Sequence, residues 1–275
     1  MDTDKDWEFF GQRDPYWGVL SHDRFRGKQL DEAALKEFFE SGRREIEAML
    51  ATIRHQLHAD FSPVRALDFG CGVGRLSLAL AGICKAAVGI DISESMLLEG
   101  RLNARRRQLA NVEFVKGDDR LSRISGAFDL VVSYIVLQHI PCERGQRIFE
   151  KLVDLVAAGG VGVLHLTYSK ARFNAAPFDA WPRSAASFST APLREFTRFT
   201  VATAKACQRK LLAFFKGLLR RQPRMQMNPY LLNPLFHLLQ RRGISEVHIE
   251  FTDHSGQYGM RIFFQKPRAH AARAA

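Results

Sequence analysis

The stretch Ala66-Leu67-Asp68-Phe69-Gly70-Cys71-Gly72-Val73-Gly74-Arg75 decides the reading of this chain. An apolar run from Val64 to Phe69 enters three alternating glycines, and a helical pattern (Leu76, Leu78, Ala79, Leu80) leaves them. Strand, glycine turn, helix is the layout of a nucleotide-type ligand site at the edge of an open α/β sheet. Glycine lets the backbone turn sharply and lets a ligand approach where a Cβ would clash. The first N–H groups of the following helix are expected to face that ligand.

The spacing narrows the choice of ligand. A dinucleotide fingerprint needs a third glycine at position 75, which is Arg, and a phosphate loop needs Gly-Lys-Ser/Thr, which is absent. A second strand, Ala86 to Asp91, ends in a carboxylate, where an acid is placed to accept both hydroxyls of a ribose. A third, Val112-Glu113-Phe114-Val115, leads to Gly117-Asp118-Asp119, and a fourth, Phe128 to Tyr134, leads to Gln138-His139-Ile140-Pro141.

These four motifs, in this order, resemble the class I S-adenosylmethionine-dependent methyltransferases over roughly residues 60 to 168. The resemblance implies that the turn through Gly70, Cys71, Gly72 and Gly74 passes under the methionine part of the cofactor. It implies that Asp91 holds the ribose, that Ile92 and Met96 pack on the adenine, and that Asp118 or Asp119 meets the adenine amino group. Asp68 and Ser133 join this cofactor set. Individually, Asp68 also suits a helix cap, Met96 ordinary helix packing and Asp118 a loop turn.

Alternation of strand and helix predicts an α/β fold: a seven-stranded, mostly parallel, Rossmann-like sheet. Helices are expected near 75–84, 94–109 and 142–157, a fifth strand over Gly160–Tyr168, and two more over Val247–Phe251 and Gly259–Phe264. Residues 1–60 read as an N-terminal lid and helix, and residues 61–275 as the core. Within the lid, 7–28 is aromatic without clear period. The helix that follows has Asp31 as N-cap, a Leu30–Leu35 staple and an apparent weak point at Gly42. The core is interrupted by an insertion over 169–228 and ends in a tail, 267–275, expected to be disordered.

Charge is uneven. Of the net +11, nearly all lies in residues 170–224, with twelve bases against Asp179 and Glu195. Within it, 205–221 reads as an amphipathic helix, with Leu211, Phe214, Phe215 and Leu218 on one stripe and Lys205, Arg209, Lys216 and Arg220 opposite. A solvated helix is the plain interpretation; an anionic membrane surface is a possible partner, and nucleic acid ranks last. No apolar run reaches membrane-spanning length, the first residues are polar and acidic, and the four cysteines are scattered without a C-x-x-C pair. A cytoplasmic enzyme, peripheral to the membrane if the basic helix binds there, fits those features, and no metal site is expected.

The methyl acceptor belongs at the carboxyl ends of the strands. A hydroxyl acceptor must lose its proton, so a histidine base is sought there. His139, directly after the fourth strand, is the first candidate and His254 the second, while His165 reads as core. Tyr16, Trp17, Gln138 and Tyr168 are candidate acceptor contacts. The expected activity is methyl transfer to a hydroxyl of a small molecule or sugar/glycan. A natural product or RNA acceptor, or a cofactor-binding scaffold without catalysis, are the alternatives.

Overall fold

A computed structural model of the chain describes residues 3–27, 29–171 and 223–268. The expected basic helix 205–221, most of the insertion and the tail beyond 268 lie outside the described residues.

Seven strands form one sheet in the order β3-β2-β1-β4-β5-β7-β6. They are β1 (Arg65–Phe69), β2 (Ala86–Asp91), β3 (Val112–Lys116), β4 (Phe128–Ser133), β5 (Val156–Lys170), β6 (Val247–Asp253) and β7 (Gln257–Gln265). The first five run parallel, and β7 is antiparallel to both β5 and β6. The strand order reverses at β1, whose neighbours are β2 and β4, and that switch point opens the crevice where open α/β sheets bind ligands. β1 and β4 are buried along nearly their whole length, as an apolar run covered on both faces requires.

One face of the sheet packs its largest cluster under α6 (Cys142–Leu155) and α7 (Leu232–Arg241). The other carries α3 (Glu32–Gln56) and α4 (Ser77–Ala81), through Ile46, Met49, Leu50 and Ile53 against Leu130, Val132, Val163 and Phe263. The helix expected near 94–109 becomes α5 (Glu94–Arg106), capped by Ser93 on the Met96 N–H. α3 begins where its cap predicts: the Asp31 carboxylate accepts from the Ala34 N–H at 2.6 Å.

Gly42 of α3 is not a weak point but a point of contact. A Cβ there would sit 2.1 Å from the Arg75 carbonyl oxygen, so this helix lies against the backbone of the glycine turn. The aperiodic N-terminus is also more regular than its sequence suggests. It forms α1 (Thr3–Arg13) and α2 (Pro15–Val19), with Pro15 in the first helical turn. The period is hidden because these helices face two surfaces, the site on one side and the Phe38–Phe39 cluster of α3 on the other.

Candidate active site

The glycine turn is folded by its own amides. Gly70, Gly72 and Gly74 hold φ of +76, +52 and +91, values that a side chain disfavours. The Gly70 and Cys71 N–H groups both donate to the Ile90 carbonyl, at 2.7 and 2.9 Å, and Gly74 donates to Cys71. Gly72 donates to the Asp91 carboxylate at 2.9 Å. At the helix start, Leu78 donates to the Gly74 carbonyl. The Ser77 hydroxyl donates to the Asp68 carboxylate at 2.6 Å. The Gly70, Cys71, Gly72 and Gly74 amides are therefore spent inside the turn.

One apolar cavity opens over this turn. Its floor includes Asp68, Phe69, Gly70, Cys71 and Gly72, and its wall on the β2 and β3 side includes Asp91, Ile92, Met96, Gly117, Asp118 and Asp119. The α1–α2 cover contributes Thr3, Asp4, Trp7, Gly18 and Val19, and the β4 side contributes Tyr134, Val136 and His139. The cover is tied on at four places. Glu8 accepts from the Ser93 and Ser95 hydroxyls, Thr3 donates to the His139 carbonyl at 3.2 Å, and Tyr16 donates to Glu99 at 2.7 Å. Arg144 pairs with both Asp4 and Asp119, each at 2.6 Å.

Asp91 stands at the cavity rim with both oxygens oriented, one by Gly72 and one by the Ser93 N–H at 2.8 Å. Each carboxylate oxygen keeps a second lone pair for a ligand hydroxyl. Burial raises its pKa, and that of Asp68 to about 6, the Ser77 bond and Arg75 opposing the rise at Asp68. Asp68 thus serves the turn as a cap while lining the cavity. Met96 likewise does two things: it faces the cavity and packs its methyl against Gly18 of the cover.

Asp118 also lines the cavity, yet its carboxylate is engaged in its own loop. It accepts from the Arg120 and Ser122 N–H groups and from the Ser122 hydroxyl, which holds its pKa below the usual range. Asp119 is committed to Arg144. Gly74 lies under the turn rather than at the cavity, where a Cβ would sit 2.9 Å from the Phe114 ring. Ser133 is fully buried and does not reach the cavity.

His139 is 8 % exposed and faces the cavity. Its Nδ1 lies 2.7 Å from the Gln226 carbonyl, a contact that requires Nδ1 to carry the proton and leaves Nε2 as the acceptor. The Trp7 ring meets it edge-on at 5.0 Å. Burial lowers its pKa to about 4, so the imidazole is neutral at physiological pH. His254 lies outside the cavity lining, 5.3 Å ring to ring from His165.

The four acceptor contacts expected from sequence lie elsewhere. Tyr16 is buried among Phe38 and Phe39, with its hydroxyl on Glu99 and Asn103. Trp17 stacks under the Arg26 guanidinium. Gln138 is buried and accepts, through its carbonyl, from the Asn228 N–H at 2.6 Å. Tyr168 packs on Phe251 at the β6 edge. Sequence reasoning passed over Arg75 and Arg144 as site residues, and both line the cavity; so do Trp7 and Val19 of the expected lid and Tyr134 at the end of the fourth strand. Tyr230 was passed over too; its hydroxyl donates toward the Leu137 and Ile140 carbonyls and braces the His139 loop. The amphipathy of α1, with Asp4 and Trp7 one turn apart, was the available signal for the cover.

Residues 66–160 match the sequence profile of the methyltransferase domain family, across the strands and glycine turn that build this cavity. The chain carries a methyltransferase domain over this segment.

The chain is 32 % identical over 104 residues to the ubiquinone biosynthesis O-methyltransferase of Burkholderia vietnamiensis, a match covering 38 % of the chain and 44 % of that protein. It is 34 % identical over 125 residues to the release factor glutamine methyltransferase of Haemophilus influenzae, covering 41 % and 42 %. The chain thus spans less than half the length of these curated relatives. Its fold follows the magnesium protoporphyrin IX methyltransferase of Synechocystis, solved with bound SAH, at a TM-score of 0.57 and 17 % identity over 96 % of this chain and 100 % of that one. It also follows the N-methyltransferase NodS of Bradyrhizobium japonicum, solved with S-adenosyl-l-homocysteine, at 0.56 and 14 % over 98 % and 100 %.

Proposed function

We propose that the chain uses S-adenosylmethionine to methylate a hydroxyl group of a small molecule. One observation carries this reading: a single cavity is bounded on one side by Asp91, with its oxygens oriented, and on the other by His139, with its tautomer fixed. The residues present fit the cofactor. Asp91 suits a ribose diol, Ile92 and Met96 supply apolar cover for a flat base, and side chains at Gly70 or Gly72 would collide with Val136 or Val19 around the crevice. When bound, S-adenosylmethionine supplies an electrophilic methyl on a sulfonium, and the chain's work is to orient an acceptor in line with it.

His139 is the proton acceptor in this reading. Methylation of a hydroxyl would release that group's proton, which the chain must take up. The acceptor's proton passes to His139 Nε2, while Nδ1–H stays on the Gln226 carbonyl. The Trp7 ring and the α1–α2 cover keep water from competing.

The ubiquinone-pathway relative supports an oxygen acceptor on a small molecule. A sugar or glycan hydroxyl is the narrower form of the same proposal. Incubating the protein with methyl-labelled cofactor and separate panels of phenols, sugars and lipid-linked glycans tests it. Label transferred to hydroxyl compounds and lost in His139→Ala is the expected result; label found on nitrogen compounds alone overturns the oxygen assignment.

A further inference from the structure

Arg75 takes the place of the third glycine of a dinucleotide turn, and its side chain enters the cavity. It is 7 % exposed, and among the described residues no carboxylate lies within ion-pair distance of it. Its Nη1 reaches the Ser41 hydroxyl at 3.3 Å, and its Nε has no partner. The other half-buried arginines near the site are matched. Arg144 holds Asp4 and Asp119, and Arg261 holds Glu45 and Glu250. Glu45 and Asp68 act on this guanidinium only from beyond ion-pair distance, so an oxyanion seated directly on it would compensate its burial further.

The surroundings say which ligand. Tyr134 follows β4, and the β4–β5 register puts His165 beside it, with ring centroids 5.3 Å apart. His254 completes the group at 5.3 Å from His165 and 6.3 Å from Tyr134. His165 Nδ1, His254 Nε2 and Gln257 Oε1 are buried without hydrogen-bond partners. Orphaned polar atoms gathered in one place mark a site that expects polar company. This group stands on the β4–β5–β7 side of the switch point, whereas Asp91, Ile92 and Met96 stand on the β2 side. Within it, Tyr134 alone lines the cavity, on the flank away from Asp91.

We propose that Arg75 is the specificity-determining residue for the acceptor, holding a carboxylate or phosphate that the acceptor carries besides its hydroxyl, with Tyr134 lining the cavity beside it and His165 and His254 packed behind Tyr134. The inference rests on the methyltransferase reading and narrows its substrate class to anionic hydroxyl compounds.

The test is calorimetry on the full chain loaded with S-adenosylhomocysteine, using 4-hydroxybenzoate, phenol and inorganic phosphate as probes. The expected result is that 4-hydroxybenzoate or phosphate binds, that phenol binds more weakly, and that Arg75→Gln weakens the anions by about thirtyfold or more while Arg75→Lys keeps part of the preference. A wild type with no anion preference, or an Arg75→Gln protein that retains it, overturns the proposal. So does an Arg75→Gln protein that loses affinity for S-adenosylhomocysteine but not for methylthioadenosine, which lacks the carboxylate; Arg75 would then serve the cofactor. Equal loss for every ligand, with a lowered Tm, assigns Arg75 to structure and also overturns it. Failure of the methyltransferase reading is distinct, since wild type would then not bind S-adenosylhomocysteine at all.

Discussion

On the β2 side of the cavity, the working parts lie between residues 68 and 91: a capped carboxylate, three glycines with positive φ, and a second carboxylate that ties the turn down. On the β4 side, they come from the whole chain. Thr3 and Trp7 of α1, Arg75, the 134–139 segment, Gln226 and the 228–230 return all meet within one wall. The first flank is a property of backbone conformation and the second a property of packing between distant segments. A methyl-transfer scaffold that keeps one cofactor can fix the former locally and leave the latter free to change with the acceptor.

That contrast is sharpest at His139. Its replacement by Ala is expected to lower kcat by about 10²- to 10⁴-fold while leaving S-adenosylhomocysteine affinity within about twofold, because it lies on the acceptor flank alone. Parallel turnover and calorimetry check this. Equal losses in both would merge the two flanks and remove His139 from the base role.

The pH profile sharpens the same point. His139 acts as a base only when unprotonated, and burial holds its pKa to about 4 rather than the ordinary 6.5. Activity is therefore expected to hold as pH falls from 7 to 5.5 and to drop through about 4. A histidine of ordinary pKa would already be about tenfold down at 5.5. An acid limb centred near 6.5, measured as kcat/KM with an acceptor in hand, would contradict the burial argument.

Gly42→Ala probes how tightly α3 is seated behind the glycine turn. With the Arg75 carbonyl 2.1 Å from the added Cβ, we expect a loss of about 2 kcal/mol in urea unfolding. Unchanged stability would mean that the helix shifts freely and that the turn is not braced from behind. Arg144→Gln is the mildest change. It removes both ion pairs of the α1 cover, 21 % exposed at the arginine, and is expected to cost about 1 kcal/mol of local closure. Faster hydrogen exchange over residues 3–13, with the sheet unaffected, is the expected readout; uniform exchange rates would give the cover no separate stability.

The two flanks differ equally in what sequence reveals. The succession of strands and helices along the chain, the glycine turn, the Asp31 cap and the place of Asp91 at the end of β2 were legible because each depends on neighbours a few residues away. Gly42 was misread because its partner is the backbone of Arg75, not anything in its own helix. Tyr16 and Gln138 read as acceptor contacts because they fall near the right motifs, but side-chain direction sends one into the Phe38 cluster and the other to the Thr167 hydroxyl. Asp118 and Asp119 looked interchangeable in sequence; Ser122 claims one and Arg144 the other. Arg75 was noted only as the residue that breaks a dinucleotide fingerprint, since nothing in a one-dimensional pattern shows that a cation is buried with no carboxylate in contact.

The central claim is that the orderly flank, organised by Asp91, holds S-adenosylmethionine. Its most direct test is calorimetric titration of S-adenosylmethionine into wild type and Asp91→Ala. The account predicts saturable binding to wild type and a loss of about a hundredfold in the variant, since a charge-assisted pair of hydrogen bonds and the anchor of Gly72 disappear together. No binding to wild type, or equal binding to both proteins, would contradict it.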